Sequence, residues 1–145
     1  MKDFIDAYAR WIKENTKINP MGEYTSITTP FLDRHNDRLE IYIKSSGDMM
    51  TLTDDGHIIG DLEASGVSIK TGKKLEILDM LTKCAGVKVI DGAMVVDATS
   101  DTFPQKKHAL IQTMLSVNDM FMLSKENVTS IFLEDVANFL EHIDV

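Results

Sequence analysis

The amino-acid sequence predicts an α+β fold: a largely antiparallel sheet of about five strands, with an N-terminal helix and helices packed on one face. Three observations lead there. Residues 38–44 alternate strictly, with Leu39, Ile41 and Ile43 on one side and Glu40, Tyr42 and Lys44 on the other, as in a strand with one buried face. Asp91-Gly92 separates two apolar, β-branched runs, and these are the two residues a tight type I′ hairpin turn favours. The strand-like segments also follow one another through turns too short for a crossover helix, so neighbouring strands run antiparallel.

The elements are read in order from the N-terminus. Asp3 to Thr16 places Phe4, Ile5, Tyr8, Trp11 and Ile12 on one stripe at helical spacing, and Asn19-Pro20 with Gly22 ends that helix. Glu23 to Thr29 is a strand stopping at Pro30, followed by a charged loop from Phe31 to Asp37 and the alternating strand. Ser45 to Asp48 turns the chain into a returning strand, Met49 to Thr53, with Met50 and Leu52 inward. Asp54-Asp55-Gly56 is another turn, and Ile58 to Ser65 a short helix closed by Gly66. Thr71 is the N-cap of a helix from Gly72 to Ala85, with Leu75, Leu78 and Leu81 inward and Gly86 closing it. The Val87–Ile90 and Ala93–Ala98 hairpin follows. Pro104 then starts a helix running to about Leu123, whose apolar residues cover more than one face and make it the most buried helix. Asn127 to Ile143 closes the chain. Val128–Leu133 could open that segment as a strand, but Leu133, Val136, Ala137 and Leu140 have helical spacing. No repeat, low-complexity stretch or linker interrupts residues 1–145, which read as one domain.

Hydrophobic residues make up 43% of 145, enough for a real core without disulfide or metal. Cys84 is the sole cysteine; it reads as a small core residue, and the absence of disulfides fits a reducing cytoplasm. Met1 to Phe4 opens an amphipathic helix and not a signal peptide, and no apolar run reaches membrane-spanning length. A cytoplasmic protein without a membrane role is expected. The net charge of −8 argues against direct duplex DNA binding, which needs clustered Lys and Arg. It suits a basic protein partner, including mimicry of nucleic acid on a nucleic-acid-binding protein. Among nine methionines, Met80 and Met114 read as core filling, while Met120 and Met122, with Phe121, over-fill the core and suggest an interface.

Three polar clusters are the candidate binding residues. Asp33, Arg34, His35, Asn36 and Asp37 form a recognition loop or a set of turn caps. Their carboxylates, with Glu40 and Lys44, invite comparison with a metal-dependent nuclease, but such a site sets an acid and a lysine two residues apart on a strand, and Tyr42 stands there instead. Asp54 and Asp55 precede Gly56 in a tight turn that lacks the ligand spacing of a calcium loop. Lys106, Lys107 and His108 occupy the first turn of the Pro104 helix, where cations oppose the helix dipole, so nearby carboxylates, the Asp33 loop among them, or an acidic ligand are expected. His35, His57, His108 and His142 are never three or four residues apart, and no phosphate loop or nucleophile elbow occurs. No catalytic residue, metal ligand or cofactor is assigned.

Four blocks carry a resemblance: Pro30 to Asp37, Leu52 to Gly56, Phe103 to His108, and Phe132 to Val136. In this order they resemble a family of bacteria and phages catalogued as domain of unknown function 1828. The resemblance implies a cytoplasmic or phage-encoded protein and brings no established activity. It also implies that longer relatives continue into a second domain beyond the segment matching His142 to Val145. The element order is similar to that of type III secretion chaperones, small acidic proteins that are commonly homodimers, by architecture alone. The expectation is therefore a non-enzymatic protein-binding module, homodimeric, and an inhibitor or adaptor acting on a host defence or nucleic-acid enzyme if phage-encoded. The alternative is a metal-dependent nuclease or nucleotide-processing enzyme using the Asp33–Asp37 loop; a DNA-binding regulator is disfavoured by the charge.

Overall fold

A computed structural model describes residues 2–143; Met1, from which the sequence opens its first helix, and Asp144-Val145 lie outside it. The fold is α+β. The element order is α1 (Lys2–Glu14), β1 (Lys17–Met21), β2 (Tyr24–Leu32), β3 (Arg38–Ser46), β4 (Met49–Thr53), α2 (His57–Ala64), α3 (Gly72–Cys84), β5 (Lys88–Ile90), β6 (Ala93–Thr99), α4 (Phe103–Asn118), a 3₁₀ turn (Asp119–Leu123) and α5 (Lys125–Glu141). Six strands form one sheet in the order β1-β2-β3-β4-β6-β5, and every neighbouring pair is antiparallel.

The sixth strand, β1, lies where Asn19-Pro20 and Gly22 are expected from sequence only to end the first helix. Lys17–Met21 pairs with β2 through a two-residue turn in which Gly22 takes φ 73°. Pro20 is tolerated because β1 is an edge strand. Pro30 does not end β2 either. It falls where the β2–β3 register shifts, between Thr28 and Leu32, beyond the residues that pair with β1. Thr29 bridges the irregularity, its hydroxyl donating to the Leu39 carbonyl at 2.9 Å and accepting from the Phe31 N–H at 3.3 Å. The hairpin at Asp91-Gly92 forms as expected, with φ of 51° and 79° at the two turn residues.

Alternation decides the faces. Leu39, Ile41, Leu52, Met94 and Val96 are buried on one side of the sheet, against Ile58 and Leu62 of α2, Leu78 of α3 and Leu110, Ile111, Met114 and Val117 of α4. Tyr24, Tyr42, Lys44, Thr51 and Thr53 lie on the other side, around a cavity that no helix among the described residues lines. Two core expectations fail. Cys84, in the last turn of α3, is exposed, and Met80 is 58% exposed; only every third or fourth residue of α3 faces α4, with Leu78 buried and Leu75 and Leu81 half-buried. Met114 and Met120 are buried, Phe121 is half-buried, and Met122 is exposed.

The terminal helices do not share the core. Along α1, Phe4, Ile5, Tyr8 and Trp11 remain at least half exposed, and α5 contains no buried residue. The helices packed on the sheet are thus α2, α3 and α4. No helix among the described residues is long and apolar enough to cross a membrane.

Candidate functional site

The Asp33 loop is held by its own first residue. The Asp33 carboxylate accepts from the N–H groups of His35 at 2.8 Å and Asp37 at 3.0 Å, and its backbone closes the turn with Asn36 and Asp37. Asn36 takes the left-handed conformation at φ 63°, which Asn tolerates better than most residues. Arg34 then ties the loop to the helices. Its Nε lies 3.1 Å and its Nη2 3.0 Å from Asp61 of α2, Nη2 also donates to Ser65, and the guanidinium stacks 4.4 Å from the Phe121 ring centroid. Its backbone N–H donates to buried Asn118 at 2.9 Å, and His35 Nε2 lies 2.9 Å from the other Asp61 oxygen. Asp61 thus gathers both side chains, a pairing across 27 residues that local sequence does not disclose.

Asp33 and Asp37 line a cavity of about 210 Å³ together with Arg38, Glu40 and His57, above Met114. His108 is not part of it. Among the described residues, no group of three or more His, Cys, Asp or Glu is arranged to hold a metal ion.

Asp54 and Asp55 are adjacent in sequence and opposite in setting. Asp54 is fully buried, and its carboxylate accepts from the N–H groups of Gly56 at 3.0 Å, Ile58 at 3.1 Å and Met94 at 2.9 Å. It joins the end of β4, the start of α2 and the start of β6. Asp55 instead lines a cavity of about 370 Å³ on the sheet face opposite the core, with Tyr24, Tyr42, Lys44, Thr51 and Thr53. Strand alternation placed Tyr42 and Lys44 on that face, but only pairing with β4 brings the threonines beside them. Tyr42 Oη donates to Glu40 at 3.0 Å, and Lys44 Nζ stands 5.8 Å from the Tyr24 ring centroid. Partial burial, then the Glu40 carboxylate, raises the Tyr42 pKa.

Lys107 and His108 line a groove of about 510 Å³ between α1 and the start of α4, in which no residue from Asp33 to Asp37 takes part. The loop carboxylates expected beside them are not there, since the loop is fastened to α2 and the 3₁₀ turn. Tyr8, Ile12, Phe31, Phe103 and Ile111 make the groove apolar, and its ionisable groups are the basic Lys13, Lys107 and His108, with no carboxylate in its lining. Burial lowers the Lys107 pKa. Lys106 is half-buried beside it. The terminal helices also leave apolar surface exposed. Phe132 (63% exposed) and Phe139 (67% exposed) of α5 stand in a stripe with Val128 and Val136, and sequence periodicity revealed the helix but not that its apolar side would be left open.

A family model described as "Domain of unknown function DUF1828" matches residues 29–117, more than half of the chain. The match spans β2's end through α4, takes in the blocks at Pro30, Leu52 and Phe103, and stops before Phe132 to Val136. No curated protein and no solved structure matches the chain.

Proposed function

The chain belongs to the DUF1828 family, and on this geometry we propose that it is a non-enzymatic protein-binding module whose apolar terminal helices are its binding surfaces. One observation carries the reading: α1 and α5 leave two aromatic-rich stripes in water, although the molecule has a packed core elsewhere. Continuous exposed apolar surface of this kind marks a binding face, and aromatic side chains are favoured anchors there. The polar clusters support the same reading. Asp33, Arg34 and Asp54 spend their hydrogen bonds on the scaffold. The net charge of −8 suits a partner with a basic, nucleic-acid-binding surface. If the gene is phage-borne, the partner is a host defence or nucleic-acid enzyme, and the protein inhibits or adapts it.

The test pairs light scattering of the pure protein with capture from host lysate, for the natural chain and for Phe132→Glu/Phe139→Glu. Both phenylalanines are exposed in the monomer, so the variant keeps the circular dichroism spectrum of the folded natural chain. Self-association or capture that the double substitution abolishes supports the reading. A strictly monomeric protein that retains nothing from the lysate overturns it.

A further inference from the structure

We propose that the occupant of the groove between α1 and α4 is helix α5 of a second copy, exchanged reciprocally in a two-fold dimer. The inference rests on the protein-binding reading and names its partner. The two surfaces complement each other in shape class and in charge. The groove is a trough of aromatic and aliphatic side chains, and α5 offers a ridge of Val128, Phe132, Val136 and Phe139 spaced four, four and three residues apart. In a chain of net charge −8, the groove bears only basic groups, Lys13, Lys107 and His108. Helix α5 carries four carboxylates and one lysine. At 100° per residue, Asp135 lies at the edge of the apolar ridge, where it would meet such a rim. Half-buried Lys107 forms no ion pair among the described residues, so a carboxylate arriving there offsets the cost of its burial.

The chain's own α5 is not in the groove. The groove is built on the first half of α4, whereas α5 leaves from beyond its far end, where its first turn lies beside Ser65 and Gly66. Helix α4 is about 24 Å long and α5 about 26 Å, so α5 has the reach to span a neighbour's groove. Two reciprocal contacts as long as the Val128–Phe139 ridge, about 17 Å, and a helix's width, about 10 Å, cover on the order of 700 Å² in total, the size of a weak, concentration-dependent interface. Reciprocity gives a closed two-fold arrangement and no open polymer.

Light scattering at micromolar concentrations tests this, with Trp11 on the α1 stripe as an internal fluorophore. The natural chain should have twice the mass of the 16.3 kDa monomer. Tyr8→Glu in the groove and Phe132→Glu/Phe139→Glu on the helix should each give monomers with red-shifted Trp11 emission. An equimolar mixture of the two variants should recover part of the dimer, because the mixed pair keeps one of the two contacts intact. Lys107→Glu should weaken the dimer roughly fivefold, and Asp135→Lys should restore it. A natural chain that stays monomeric overturns the proposal, and the binding-module reading then rests on lysate capture alone. A dimer broken by the α5 substitutions but indifferent to Tyr8→Glu, without recovery on mixing, also overturns it, because α5 then pairs with α5.

Discussion

Replacing Asp54 by alanine removes one carboxylate and strands three backbone N–H groups. Those of Ile58 and Met94 are buried, and that of Gly56 is partly so. An unsatisfied buried donor costs about 1–3 kcal/mol, which puts the two buried ones at about 2–6 kcal/mol together. Removing a buried charge recovers part of that, since the carboxylate itself was costly to desolvate. The net expectation is a loss of about 3 kcal/mol, a large share of the roughly 5–15 kcal/mol by which domains are stable. With a urea slope of about 2 kcal/mol/M, the midpoint falls by about 1.5 M at unchanged slope. Asp54→Asn keeps one acceptor oxygen but turns an amide NH₂ towards a backbone N–H, so it should fall between the alanine variant and the natural chain. An alanine midpoint within about 0.5 M of the natural one, or an asparagine variant equal to it, would refute the view that this carboxylate joins β4, α2 and β6.

Three further outcomes follow from other parts of the molecule. Arg34→Met should cost about 1–2 kcal/mol in urea unfolding, because it removes a half-exposed ion pair and leaves Asp61 with His35 alone, and Arg34→Lys should not restore it, since a lysine cannot both fork onto Asp61 and stack on Phe121. Tyr42 should ionise above the ordinary tyrosine value in an ultraviolet titration of the folded protein, and Tyr42→Phe should remove that step. Its raised pKa means that the folded state holds the proton more tightly than the unfolded chain, so this group makes stability fall as pH rises from about 10 towards the raised value, and Tyr42→Phe should remove that part of the alkaline loss. Cys84 should react with an aromatic disulfide reagent in the native state; reaction only after unfolding would contradict its exposed position.

Local patterns determined a good deal. The alternation at residues 38–44, the Asp91-Gly92 turn and the Pro104 helix start were legible because each expresses a backbone or burial preference within a few residues. They were enough for an antiparallel α+β fold with α4 at its centre. The same information misplaced β1, because Pro20 looks like a stop until an edge position and a pairing partner make it acceptable. It misplaced Cys84 and Met80 because apolarity indicates which residues prefer burial, not how much of a helix a neighbour covers. It also could not see Asp61 gathering Arg34 and His35, nor the cavity that Tyr24, Tyr42 and Thr51 share, since those groups meet only through strand order and helix docking. The amphipathic character of α1 and α5 was written in their periodicity. Only the packed structure decided that the sheet and its three covering helices close without them, because a core of fixed volume admits only so many apolar faces.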